Sequence, residues 1–513
     1  MTTDTTSFSS LSLSAELLNN LASLNYAAMT PIQAQSLPLI LEGQDVIGQA
    51  KTGSGKTAAF GLGVLSKLDR TMFKPQALVL CPTRELADQV ANALRELART
   101  IPNIKVLTLC GGMPFGPQAG SLEHGAHIVV GTPGRVDDHL RKETLKLDAV
   151  TTLVLDEADR MLDMGFAEQL DTIVAATPES RQTLLFSATF TDEVHSIAKT
   201  MMRSPQHVTA ETTHDTATIE QHFYEVANDE ASSGCSRFNA VRLILLQNKP
   251  ESTVVFCNTK KETQELAESL RSCHISALAI HGDLEQADRD RTLLRFANKS
   301  TSVLVATDVA ARGLDIENLD AVINYHLAGD TEVHVHRVGR TGRAGSTGKA
   351  FTLYARSERY KADRLEQYLG IDIQPEALPP AELLESKPPR PKMVTLQIDG
   401  GKKRKIRPGD ILGALTGKGG IEGSQVGKIN VFADAAYVAV ERGVASAALK
   451  KLSEGKIKGR SIKVRQVEGQ PTNSRRLARR RGRGDGDSGG NDRNSGDRHE
   501  SRGDNSVYKG KRR

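Results

Sequence analysis

The stretch AKTGSGKT, Ala50 to Thr57, constrains this chain more than any other. It follows the short apolar run Val46-Ile47 and leads into residues with helical spacing, the strand–loop–helix setting that a phosphate loop requires. Gly53, Ser54 and Gly55 let backbone N–H groups close around phosphates at a helix start, where the helix dipole favours anions. Lys56 is then placed to reach the β- and γ-phosphates, and Thr57 to hold Mg²⁺. Ala50 stands where the general pattern has glycine.

Short apolar runs alternate with helical segments from about residue 30 to 355, which predicts parallel sheets covered on both faces. Ala77 to Leu80, Ile128 to Val130, Leu153 to Leu155 and Thr183 to Phe186 continue a first series. A second runs through Val254 to Phe256, Leu278 to Ile280, Val303 to Ala306, Val322 to Asn324 and Phe351 to Tyr354. VLCPTR, Val79 to Arg84, has a faint echo in VFCNTK, Val255 to Lys260, as duplicated lobes would leave. The Thr-rich residues 207–218 read as a linker between a first lobe, 1–206, and a second, 219–370. Six prolines between 374 and 392 make 371–392 read as a spacer. Residues 393–468 then give the order βαββαβ, and 469–513 are Arg, Gly, Asp, Ser and Asn with almost no apolar residue, hence a disordered tail.

Two further stretches complete the chemistry. Asp156 to Asp159, DEAD, closes the run Leu153 to Leu155, so a strand end delivers Asp156 to a metal beside the phosphate loop and Glu157 to an attacking water. HRVGRTGR, His336 to Arg343, carries Arg340 and Arg343 three apart, close enough for one turn to aim both at a phosphate. Arginines reaching across a cleft stabilise transition-state charge and make hydrolysis depend on closure.

These motifs, in this order over residues 8 to 343, resemble the DEAD-box RNA helicases. The resemblance implies two RecA-like parallel-sheet lobes and RNA-dependent hydrolysis of ATP. Asn25 to Gln33 is similar to the family's adenine-reading segment, with Asn25 for the usual glycine and Met29 for the usual proline. Gln33 would pair with adenine, and Phe8 would stack on it. Pro82, Thr83, Arg84, Gly112, Thr132, Pro133, Gly134 and Arg135 in the first lobe match the family's RNA-holding segments. His281, Gly282, Arg289, Thr307 and Asp308 do so in the second. Ser187 and Thr189 match the element that couples hydrolysis to strand separation, with His336 in the same coupling role, and Gly313 and Asp315 match a nucleotide contact across the cleft.

The net charge of +5 hides an asymmetry: residues 393–468 carry 15 Lys+Arg against 7 Asp+Glu, and 471–513 carry 13 against 6. The rest is acidic, so the C-terminal third is the part that seeks a polyanion. Met393 to Ile421 resembles the RNA-binding domain of the DbpA subfamily of bacterial helicases, which implies 23S ribosomal RNA (hairpin 92) in large-subunit assembly as the target. Lys402, Lys403, Arg404, Lys405 and Arg407 form a dense phosphate-binding cluster. With no ring in VTLQI and only Tyr437 in YVAV, recognition is expected through loops and basic edges, not stacking on a sheet. A generalist RNA helicase and an ATP-switched RNA clamp are the competing readings. Five cysteines without close pairing, no apolar run of membrane length and no basic-then-apolar start suit a cytoplasmic protein with no membrane partner. The RNA-directed motifs imply no DNA partner, and a monomer is the expectation for an oligomeric state that the sequence does not fix.

Overall fold

The computed structural model describes residues 6–50, 53–210, 219–227, 235–311, 319–342 and 347–467. The first sheet is built from β1 (Val46–Gln49), β2 (Ala77–Leu80), β3 (Val106–Leu109), β4 (Ile128–Gly131), β5 (Thr152–Asp156), β6 (Gln182–Ser187) and β7 (Gln206–Thr209). All pairings are parallel, in the order β3-β4-β2-β5-β6-β1-β7. Val79, Val154 and Leu184 face one apolar cluster while Leu78, Leu155 and Leu185 face another. Burial on both faces is why these strands read as unbroken apolar runs.

The second sheet comprises β8 (Ile219–Val226), β9 (Thr253–Cys257), β10 (Ala277–Ile280), β11 (Val303–Thr307), β12 (Ala321–Asn324) and β13 (Gly348–Ala355), again all parallel. Its order, β10-β11-β9-β12-β13-β8, repeats the first sheet's β3-β4-β2-β5-β6-β1 strand for strand. The echoing hexapeptides occupy equivalent places, running out of β2 and β9. The lobes are duplicated RecA-like units.

Two expectations need correction. The stretch from 207 does not begin as a linker: His207 to Thr209 finish β7, which pairs with β1, because the first sheet still has an open edge there. Residues 211–218 lie outside the described residues. The proline-rich segment is a strap, not a free spacer. Ile373 is fully buried with Phe223 and Tyr354, His222 meets the Glu376 carboxylate at 3.0 Å, and Arg242 Nη2 donates to the Leu384 carbonyl at 3.2 Å. Prolines fix φ in advance and lack a donor that burial would strand, so ordering such a segment costs little.

The third sheet is antiparallel: β14 (Met393–Ile398), β15 (Val426–Val431), β16 (Ala436–Glu441) and β17 (Val464–Gln466), in the order β15-β16-β14-β17. Helices Pro408–Thr416 and Ala445–Glu454 cover one face, giving an RRM-like α+β unit around Leu396, Ile411, Val438 and Leu452. The expected tail falls outside the described residues.

Candidate active site

In a parallel sheet every strand ends on the same edge, and ligands bind beyond those ends. The phosphate loop leaves β1, the DEAD segment leaves β5 and Ser187 to Thr189 leave β6, so the pairing order β5-β6-β1 gathers them. Gly53 and Gly55 have φ of +82° and +96°, the left-handed region that a side chain resists. A Cβ on Gly55 would lie 2.4 Å from Gln33 Nε2. Gln33, 2% exposed, donates to the Gly55 carbonyl at 3.0 Å and accepts from the Thr30 N–H at 2.9 Å, binding the segment that ends at Gln33 to the loop. Phe8 packs in the lobe's core at 5% exposure, edge-on to Tyr26.

Lys56 begins the helix Lys56–Lys67 and donates Nζ to the Ala50 carbonyl at 2.8 Å, with Thr57 next to it on the helix's first turn. Asp156 is 3% exposed; burial pushes its carboxyl up to about 7 against the pull of Lys56. Its Oδ1 and the Ser54 hydroxyl are buried without a hydrogen-bond partner. Unpartnered oxygens beside an open phosphate cradle fit a phosphate-bound Mg²⁺, a hard cation that keeps most of its water and needs few protein ligands. Glu157 sits at φ 55°, ψ 54°, a strained backbone for a non-glycine residue at the turn out of β5. Asp159 accepts from the Thr189 N–H at 3.1 Å and hydroxyl at 2.7 Å, while Ser187 Oγ donates to the Thr189 carbonyl at 2.7 Å. The DEAD segment and Ser187 to Thr189 are thus one hydrogen-bonded unit.

The second lobe presents the helix Thr331–Val338 to this edge. Burial, then the neighbouring Arg160 guanidinium, lower the His336 imidazole to about 4; Asp159, Arg340 and Glu157 also act on it. Arg160, His336 and Arg340 line a single cavity between the lobes. Arg160 was not singled out by sequence. It is 6% exposed, its Nη1 donates to Glu157 Oε2 at 2.6 Å, and its only sequence signal is following the DEAD segment directly. Gly313, Asp315 and Arg343 lie outside the described residues.

The expected RNA-holding residues occupy the same strand-end edges. Pro82 to Arg84 follow β2, Gly112 follows β3, and Thr132 to Arg135 follow β4. Arg84 lies so close to Gly112 that a Cβ there would sit 2.3 Å from its guanidinium, and Arg135 Nη1 donates to the Met113 carbonyl at 2.9 Å. In the second lobe His281 and Gly282 follow β10 and Thr307 ends β11. Arg289 crosses to the first lobe, with Nε 2.5 Å from the Glu85 carboxylate. Asp308, at the start of the helix after β11, keeps a partly exposed side chain, and both its oxygens accept from Arg337 at 2.6 and 2.7 Å. A carboxylate near phosphates is better neutralised in this way. Lys402, Lys403, Arg404, Lys405 and Arg407 are exposed on a turn anchored by buried Ile406.

Residues 30–197 match the DEAD/DEAH box helicase family, 236–345 the helicase conserved C-terminal domain, and 395–466 the DbpA RNA binding domain. The ATP-dependent RNA helicase DbpA of Escherichia coli is 53% identical over 468 residues, covering 90% of this chain and all of the relative. The chain belongs to the DbpA-type DEAD-box helicases. The Bacillus subtilis DbpA is 36% identical over 481 residues, covering 90% of this chain and 99% of its own. A structure of Saccharomyces cerevisiae Dbp5 bound to RNA and ADP BeF3 superposes with a TM-score of 0.66 at 31% identity, covering 73% of this chain and 96% of that one. This DbpA-type protein is therefore an ATP-dependent RNA helicase with an RNA-binding domain, and none of its described helices is long and apolar enough to cross a membrane.

Proposed function

We propose that this helicase locally opens structured 23S ribosomal RNA around hairpin 92 during assembly of the large ribosomal subunit, working in the cytoplasm as a monomer. The observation that carries this reading is the match of residues 395–466 to the DbpA RNA binding domain, joined to full-length similarity to two DbpA proteins. The basic turn Lys402 to Arg407 supplies the phosphate-seeking charge.

In this reading Gly53, Ser54 and Gly55 cradle the ATP phosphates, Lys56 turns from the Ala50 carbonyl to the β/γ-phosphates, and Gln33 selects adenine. Thr57 and Asp156 would hold Mg²⁺, partly through water, and the ion neutralises phosphate charge when bound. Glu157 orients the attacking water. Arg340 of the second lobe, with Arg343 three residues on in the same motif, would stabilise the transition-state charge, so hydrolysis requires closure. Asp159, Ser187, Thr189 and His336 link the nucleotide edge to the RNA edge. The RNA segments of both lobes grip phosphate and sugar, and release of phosphate reopens the cleft.

Competition binding tests the target. A labelled 23S fragment containing the hairpin should be displaced by the same fragment unlabelled, and poorly by an equal-length fragment lacking it. Equal displacement would contradict the target and leave a helicase for structured RNA in general.

A further inference from the structure

The outward face of the third sheet is divided in two. Val394, Leu396 and Ile398 of β14 point into the domain's core, so Thr395 and Gln397 point outward, opposite Ala439 and Tyr437 of β16. Thr395 and Ala439 are each 1% exposed although they lie outside that core. The second lobe covers this half: Asn298 Nδ2 donates to Thr395 Oγ1 at 3.2 Å, and the Ser300 and Thr395 hydroxyls lie 2.8 Å apart.

The other half carries a feature that the sequence reading missed. Phe432, just past β15, has the same outward parity as Asn430, which pairs with Tyr437. Phe432 is 46% exposed, and its ring stands edge-on to Tyr437 with centroids 5.8 Å apart at 81°. An edge-on pair leaves ring faces open to a third aromatic group. The Phe432 backbone is fixed: its N–H donates to the Ala435 carbonyl at 2.8 Å, and its carbonyl accepts from the Lys402 N–H at 2.7 Å. The Lys403 N–H donates to the Ala433 carbonyl at 3.0 Å, so the basic turn is bonded to the hairpin that holds the ring. On the opposite side, exposed Arg465 of β17 pairs with Gln397 and donates Nε to its amide oxygen at 3.4 Å.

We propose that Phe432 and Tyr437 form a stacking site for one unpaired nucleobase of the bound RNA, with Lys402, Lys403 and Arg465 taking the flanking phosphates. Lys403 Nζ is paired with the exposed Asp434 carboxylate at 3.0 Å and would exchange it for a phosphate. Rings beside an exposed basic turn suit a base and its backbone, whereas an apolar protein segment would gain nothing from that charge. The proposal rests on the reading that this domain binds RNA, and it revises the expectation of recognition through loops and basic edges alone. The second ring comes from the end of β15, where no aromatic signature directs attention.

The chain contains no tryptophan, so Phe432→Trp in the full-length protein places a single indole at the site. Its emission should be quenched on titration with the 23S fragment, while anisotropy of labelled RNA follows binding independently. Phe432→Leu, which keeps apolar bulk but removes the ring, should weaken RNA binding by about tenfold or more, and Phe432→Tyr should bind as wild type. Thermal unfolding checks that each variant is folded. Unchanged indole emission during binding, or wild-type affinity in Phe432→Leu, would overturn the proposal. These arms are read on any RNA that the wild type binds, so loss of the hairpin preference would defeat the target reading without touching this one.

Discussion

At the scale of single residues, Glu157 and Arg160 carry the account. Glu157 is 5% exposed on a strained turn, and its carboxylate is held by Arg160 at 2.6 Å. Glu157→Gln should retain ATP and RNA binding while lowering steady-state turnover about a hundredfold or more. Wild-type hydrolysis in that variant would remove Glu157 from the water-orienting role. Arg160 touches Glu157 and the His336 environment, so it acts as a positioning residue. Arg160→Met should lower kcat about tenfold with little change in the KM for ATP, and Arg160→Lys should restore part of it. A matched rise in KM would mark a binding role instead. Protonation supplies a further prediction at this scale. His334 is 1% exposed, and burial, then Arg337, lower its imidazole to about 3. Between that value and about 6.5 the unfolded chain binds a proton that the folded one refuses, so stability falls as pH falls. From pH 7 to 5 the loss is about 2 kcal/mol for this group. The drop in Tm over that interval should shrink in His334→Asn, and an equal drop would contradict the assignment.

At the scale of elements, the close packing of β1 against β6 is testable through one glycine. A Cβ on Gly48 would lie 2.5 Å from the Phe186 ring, so Gly48→Ala should destabilise the first lobe by about 1–3 kcal/mol in denaturant unfolding. The same packing explains what was legible beforehand. Strands buried on both faces, such as β2 and β5, announce themselves as unbroken apolar runs. β3, β7 and β8 were missed, and all three lie at sheet edges; in β7 and β8, solvent-facing residues such as His207 and Glu220 break the apolar run. The proline strap was misread because proline content reports backbone stiffness but not whether a surface awaits it. At the site, the phosphate loop was legible because its glycines take a backbone that side chains resist, and the DEAD segment because it ends an apolar strand downstream of that loop, in the family's motif order. Arg160, the Asp308–Arg337 pair and the Phe432–Tyr437 pair depend on contacts that no local pattern encodes.

At the scale of the whole molecule, two duplicated sheets bring their strand ends to one seam, and a third sheet is seated on the second lobe by Thr395, Asn298 and Ser300. Arg289 meets Glu85, and Arg160 shares a cavity with His336 and Arg340, so the lobes touch at the edge where the proposed mechanism makes hydrolysis depend on their closure. RNA that holds the seam together should therefore set the rate. The most direct measurement is steady-state ATPase activity without RNA, with unstructured RNA, and with the 23S fragment containing the hairpin. The expected result is a low rate alone and strong stimulation by RNA, greatest with the fragment. An RNA-free rate as high as the stimulated one, or no stimulation by either RNA, would contradict it.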